Sequence, residues 1–189
     1  EAQKLGFAAC GVAQASHVSE DEEAHLRRWL DEGKYAGMHY MTNYLDKRLD
    51  PRKLMDGLKS IVSLAMNYAP ERRLAAGEPQ IAAYALGKDY HDVMKERIPR
   101  LAAFVSEQVG RELTYRAFAD SGPVLERYWA VQAGLGWVGR NHLLIIPKAG
   151  SEFFLGEWFL DIELDYDQPM ANHCGHCHRC VDQCPTHAL

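Results

Sequence analysis

Four of the five cysteines in this chain, Cys174, Cys177, Cys180 and Cys184, crowd its last sixteen residues, and Pro185 directly follows the fourth. This C-x2-C-x2-C-x3-C-P spacing is that of bacterial ferredoxins, where short spacers let three thiolates wrap one cubane and the fourth cysteine turns away to a neighbouring cluster. Cys174, Cys177 and Cys180 are therefore expected to hold one 4Fe-4S cluster, and Cys184 to ligate another. The same crowding excludes a secreted disulfide framework, whose cysteines are spread along the chain to staple distant loops. Zinc is the competing ion, encouraged by His173, His176, His178 and His187. Four thiolates at this spacing with a terminal proline favour iron–sulfur and leave the histidines as solvated loop residues. A two-cluster module takes roughly eight cysteines. The four here, with the distant Cys10, predict a chain that cannot hold two intact clusters by itself.

The remainder must fold around an apolar core. Of 189 residues, 47% are hydrophobic, enough to bury roughly two-thirds of the surface an unfolded chain exposes. Charged residues are mixed in sign, and no apolar run approaches the ~18–20 residues that cross a bilayer. Lys and Arg total 21 against 26 for Asp and Glu, a net charge of −5, so the chain lacks the basic footprint of a stand-alone nucleic-acid binder. The chain opens on Glu1 with no charged-then-apolar leader, and the expected location is the cytoplasm.

A principal domain is expected over 1–165 and a Cys/His segment over 166–189, with a polar hinge at 165–169. Ser19 to Glu22 fits a capping box for a helix that carries Leu26, Trp29 and Leu30 and stops at Gly33. Asp50-Pro51 opens a shorter helix. Ile61 to Met66 reads as a buried strand, 71–80 as loop, and Ile81 to Leu86 as a second strand. Asp89 caps a helix whose buried face is Val93, Ile98, Leu101, Phe104 and Val105, with Pro99 predicting a kink or a break. Leu113 to Ala119 alternates as a strand, Asp120-Ser-Gly122 turns, and Pro123 opens a helix to Gly134. Strands His142 to Ile146 and Phe153 to Leu164 are expected to pair as a hairpin through 148–151. The expected fold class is α+β, in mixed α/β layers.

In their order, Gly87-Lys-Asp-Tyr-His91, Asp120-Ser-Gly-Pro-Val-Leu-Glu-Arg127, Ala133-Gly-Leu-Gly-Trp-Val-Gly139, Gly150-Ser-Glu-Phe-Phe-Leu-Gly-Glu157 and the cysteine run resemble the epoxyqueuosine reductase family. The resemblance spans nearly the whole chain, and members of that family continue with a second cysteine run and a helical-repeat region that helps hold tRNA. It implies a cobalamin-binding reductase domain followed by the first half of a two-cluster ferredoxin module. The implied reaction is the last step of queuosine biosynthesis, reduction of epoxyqueuosine to queuosine at the wobble position of tRNA with a GUN anticodon. Cobalamin and two 4Fe-4S clusters serve the complete enzyme, and a flavodoxin or ferredoxin supplies electrons. The alternatives are another corrinoid iron–sulfur reductase of the dehalogenase kind and a ferredoxin-type electron carrier. The carrier reading leaves some 165 residues without a task, and a fragment lacking half its cluster ligands would be inactive alone.

The resemblance assigns the proton donor to Asp120 and places Arg48, Ala82, Leu144 and Leu155 around the corrin with Asp120, and Arg140 and Asn141 as further candidates. Some relatives carry cysteine at the place of Ala82. Read from the residues alone, Asp120 before Gly122-Pro123 is equally a cap for the following helix. A cap favours the ionised carboxylate, whereas a general acid needs its pKa raised by burial. Leu144 and Leu155 read as core, and Arg48 as one of a solvated basic group with Lys47, Arg52 and Lys53. No Asp-x-His-x-x-Gly segment supports histidine ligation of cobalt, and His91 is expected to face a first helical turn.

Overall fold

Ser60–Asn67 (β2) is buried at every position but the last, which only a central strand sandwiched on both faces allows. The computed structural model describes residues 1–75 and 77–189. It places β2 between Ala9–Gln14 (β1) and Phe153–Leu160 (β6), with Tyr115–Phe118 (β3) on the far side of β6, in the order β1-β2-β6-β3. All three pairings are antiparallel. The class is α+β.

Alternation along β2 and β6 sends two sets of side chains to opposite faces. Val62, Leu64, Met66, Trp158 and Leu160 pack with Met94, Ile98, Leu101 and Ala102 of the long helix Tyr90–Val109. Ile61, Ala65 and Phe159 pack on the other face with Trp129 and Ala130 of the short helix Glu126–Gln132, together with Leu26 of Glu20–Asp31 (α1) and Leu49 of Leu45–Leu49 (α2). The long helix is α3 and the short one α4; Arg179–Asp182 forms α5. Gly11 of β1 is obligatory here, because a Cβ would lie 2.0 Å from the Ala133 carbonyl oxygen at the end of α4.

Several expectations hold locally. Ser19 caps α1 by accepting the Glu22 N–H at 3.3 Å, and Gly33 follows the helix at φ 66°. The reciprocal half of the box is absent: the Ser19 N–H donates to the Tyr128 hydroxyl at 2.9 Å, tying α1 to α4. Asp50 caps a single 3-10 turn over Pro51–Lys53. The 71–80 segment has no helix or strand among its described residues, Ala76 lying outside them.

Others are corrected. Ile81 to Leu86 is no strand: Ile81, Tyr84 and Leu86 are exposed, and the segment makes one 3-10 turn over Ala83–Ala85. Pro99 does not divide α3, which runs twenty residues to Gly110 in the left-handed region. Pro99 lies on the exposed face, where water can serve the carbonyl that its missing N–H leaves free. Phe104 is exposed, and Met94 takes the expected place in the core. Helix α4 starts three residues after Pro123. The expected hairpin does not form either: Leu144–Ile145 (β5) pairs with Trp137–Val138 (β4) in a separate two-stranded sheet, while β6 joins the main one.

The segment after β6 returns along the edge of β1. Asp167 donates its N–H to the Val12 carbonyl and accepts the Val12 N–H on Oδ2, both at 2.8 Å.

Candidate active site

The chain folds a left-handed residue into each wall of a cleft of about 550 Å3. On one wall Tyr44, at φ 55°, precedes α2 and sets Arg48 into the protein. Arg48 is 8% exposed and donates weakly, at 3.4 Å each, to the carbonyls of Asn43 and Tyr40. Burial lowers its guanidinium pKa, with only Tyr40 opposing. No carboxylate among the described residues pairs with it, so it is a buried cation at the edge of open space.

On the other wall Asp120 stands at φ 60° in the turn after β3. Gly122 lets the turn fold back, since a Cβ there would meet the Phe118 ring at 2.4 Å. The Tyr90 hydroxyl donates to Asp120 Oδ2 at 3.0 Å, and the Asp120 N–H donates to Glu126 Oε1 at 2.6 Å. Asp120 therefore does not cap α4, whose N-cap Leu125 has no side-chain acceptor. The Tyr90 ring is fixed by stacking on Phe154, with centroids 4.1 Å apart. Burial and then the Asp120 carboxylate push its hydroxyl pKa up.

Behind this turn lie two further carboxyls. Glu126, the first residue of α4, is partly buried, and its pKa is pushed up to about 7, burial first and the Asp120 charge adding to it. The Asp120 N–H, Arg127 and His91 act against that rise. Glu157 of β6 is fully buried in the row Ser63–Glu157–Phe118 across β2, β6 and β3. Ser63 Oγ donates to its Oε2 at 2.6 Å, and Oε1 has no partner. Burial drives its pKa well up, and Glu126 adds to the effect, so the fold favours the neutral acid.

Of the residues expected to gather, Arg48 and Asp120 share the cleft. Leu144 is in the core below it, and Leu155 packs against the same core. Ala82 is exposed before its 3-10 turn. Arg140 donates to the Gly175 carbonyl at 2.8 Å, and Asn141 Oδ1 accepts the Leu143 N–H at 3.2 Å. None of these five lines the cleft. Tyr90, Glu126 and Glu157 were not singled out from sequence. Glu157 had a signal, as the sole charge inside the apolar run of 153–160.

In the cysteine segment, Cys174 Sγ accepts the Trp137 indole N–H at 3.4 Å, which lowers its pKa. Cys184 Sγ accepts the Ala188 N–H at 3.3 Å, and its pKa is lowered to about 7, chiefly by Thr186. Such donors favour the thiolate, the form that binds metal. Donor type and environment thus fit an iron–sulfur cluster, although among the described residues no three His, Cys, Asp or Glu side chains converge on one point.

A family model described as "Epoxyqueuosine reductase QueG, DUF1730" matches residues 48–121. The epoxyqueuosine reductase of Cellulophaga algicola is 46% identical over all of this chain, which spans 61% of that relative. The structure of epoxyqueuosine reductase from Streptococcus thermophilus superposes with a TM-score of 0.89 at 29% identity, covering 100% of this chain and 51% of that one. An epoxyqueuosine reductase crystallised with an epoxyqueuosine-modified tRNA-Tyr stem loop matches at 0.87 and 28% identity, over 99% and 50% of the two chains. A Bacillus subtilis epoxyqueuosine reductase whose catalytic aspartate loop is swung out of the active site matches at 0.82 and 28%, with the same coverage. Reductive dehalogenases, at 19% identity and a TM-score of 0.54, share the fold. No described helix is long and apolar enough to cross a membrane.

Proposed function

We propose that this chain, which aligns throughout its length with part of the epoxyqueuosine reductases, forms the corrinoid-facing portion of a complete enzyme that reduces epoxyqueuosine to queuosine in tRNA. Residues 1–165 are the catalytic domain in this reading and 166–189 the cluster-binding segment. The carrying observation is Asp120, presented at the cleft in a strained turn and held there by Tyr90 and Glu126. Strain of this kind persists where function over-determines it.

The cleft suits a corrinoid by one feature in particular: Arg48 is a buried cation with no carboxylate partner among the described residues, ready for an anionic or carbonyl-rich ligand. Arg48 and Asp120 would contact it there. Ala82, Leu144, Leu155, Arg140 and Asn141, outside the cleft, would serve only through surfaces that the ligand extends to. Cys174, Cys177 and Cys180 would hold one 4Fe-4S cluster and Cys184 would serve its neighbour. Bound cobalamin and clusters supply low-potential electrons for reducing the epoxide.

The protein's own part is a proton. Removing the epoxide oxygen as water requires acid at the departing oxygen, and Asp120 is the exposed carboxyl positioned for it. Tyr90, a donor to Oδ2, fixes the carboxyl and leaves Oδ1 free of that bond for proton transfer. The tRNA would reach the cleft past Tyr40 and Tyr44, both exposed and suited to stacking on a base. A flavodoxin or ferredoxin is the proposed electron donor, and the cytoplasm the proposed setting.

Anaerobic titration with cob(II)alamin, followed by electron paramagnetic resonance for loss of the lower axial base, tests the reading. Saturable binding that weakens in Arg48→Ala supports it; no binding to a folded chain overturns the placement of the corrin in this cleft.

A further inference from the structure

Asp120 reaches the cleft through a backbone that an ordinary side chain resists. Its φ of 60° is a conformation that costs roughly 1–2 kcal/mol for an L-residue, Asp being among the more tolerant. Strand β3 ends at Phe118, so no ladder reaches the turn. The backbone of 119–121 is held by the Ser121 N–H to the Ala119 carbonyl at 2.7 Å and the Asp120 N–H to Glu126 Oε1 at 2.6 Å. The first is local to the turn. The second ties it to α4, which is anchored in the core by Trp129 and Ala130.

We propose that Glu126 is the latch of the catalytic turn: its carboxylate clamps the Asp120 N–H, keeps the left-handed turn closed on the cleft, and slackens when it is protonated. This rests on the reading of Asp120 as the proton donor only for its functional meaning; the latch itself concerns the chain alone. A charged acceptor makes a bond about twice as strong as a neutral one, so protonation weakens the clamp without removing it. The groups facing Glu126 set it near its switching point. The Asp120 N–H, Arg127 and His91 favour the charged form, burial and the Asp120 charge the neutral one; the buried Glu157 of β6 lies behind, and the Tyr90 hydroxyl stays protonated on Asp120. With burial the balance comes to about 7, within the pH range over which the latch can be tested. The loop excursion of the Bacillus subtilis enzyme is the kind of motion such a latch would govern.

The test is quenched-flow hydrogen exchange on the chain without ligands, each amide normalised to its intrinsic rate, from pH 5.5 to 8.5. In the unsubstituted protein the protection of the Asp120 amide is expected to fall roughly tenfold as pH drops through about 7, while Ile61, Leu64 and Phe159 in the sheet stay unchanged. Glu126→Gln keeps an acceptor of the same shape without charge; its Asp120 amide should exchange about tenfold faster at pH 8 and lose the pH dependence. Equal protection at pH 8 in the two proteins overturns the latch. A pH profile that survives the substitution assigns the effect to another group, such as His91, and overturns it as well. Should Glu126→Gln loosen the sheet, the unsubstituted profile decides: a fall confined to the turn supports the latch, and a flat profile refutes it. Because no cobalamin or tRNA enters, failure of the latch and failure of cobalamin binding are separate results.

Discussion

Replacing Glu157 with Gln should make the protein more stable at neutral pH. Glu157 is fully buried on the face of the sheet that carries α4, with one oxygen bonded to Ser63 and the other without a partner. Burial raises its pKa in the folded chain, whereas in the unfolded chain it ionises near ~4.3. A group shifted in this direction stabilises fully below its unfolded pKa, and the contribution drains away as pH rises toward its folded value. Each pH unit in that window removes about 1.36 kcal/mol, so the loss by pH 7 is capped at about 3.7 kcal/mol. Glutamine does not ionise and escapes it. Against this, the amide adds an unpartnered N–H at the place of Oε1, which costs about 1–2 kcal/mol, while its carbonyl keeps the Ser63 bond. The net expectation is added stability at pH 7 with a ceiling of about 2 kcal/mol, a rise in Tm of no more than about 4–8 °C for a chain of this size. At pH 4 the gain should vanish or turn into a loss of about 1–2 kcal/mol. Urea unfolding at pH 4, 5.5, 7 and 8 measures it. A Gln variant as destabilised relative to the parent at pH 7 as at pH 4 would show that Glu157 carries no ionisation cost in the fold and sink the reasoning.

Asp120→Ala in the complete enzyme should lower turnover by about 10²–10⁴-fold while leaving cob(II)alamin binding within a few-fold, measured by single-turnover reduction beside the titration; full turnover would remove Asp120 from proton delivery. Gly11→Ala should destabilise by about 1–3 kcal/mol, since a Cβ there would overlap the Ala133 carbonyl at 2.0 Å between β1 and the end of α4. Thermal unfolding of Gly11→Ala unchanged from the parent would mean that β1 and α4 separate more readily than their packing indicates.

Local chemistry made much of this legible. Caps at Ser19, Asp50 and Asp89 act within two or three residues, and each caps in the structure. The buried run of β2 read correctly because a strand covered on both faces has no alternation to misread. Errors came where partners are distant. Ile81 to Leu86 has strand composition but no neighbouring edge, and β6 prefers β2 and β3 to the nearer β5. Asp120 read as a cap because sequence shows a carboxylate ahead of a helix, not a turn that points it away from that helix toward Tyr90 thirty positions upstream. Arg48 looked like one more surface cation, and only the packing of α2 shows it buried.

Several departures from ordinary folding rules meet at the cleft, while others, the left-handed Ala36, His142, Lys148 and His187 and the unpartnered Trp158 indole among them, lie elsewhere. Tyr44 and Asp120, two non-glycine residues in the left-handed region, line opposite walls of one cleft. Arg48 is buried there without an anion, Glu126 holds the Asp120 turn with a pKa raised to about 7, and Glu157 lies in the layer behind with an orphaned oxygen. Each of these lowers stability, and each has a cheap repair: glycine or asparagine in the turn, leucine for the arginine, glutamine for either glutamate. Those at the cleft, an unpartnered cation facing a strained carboxyl turn, fit a surface kept polar for use, and they set a test that no single substitution provides. A variant combining Asp120→Asn, Glu126→Gln and Glu157→Gln should unfold later than the parent at pH 7 and, once the complete enzyme carries the changes, reduce no epoxide. Higher stability with activity intact would make the carboxyls passengers; lower stability would make them structural.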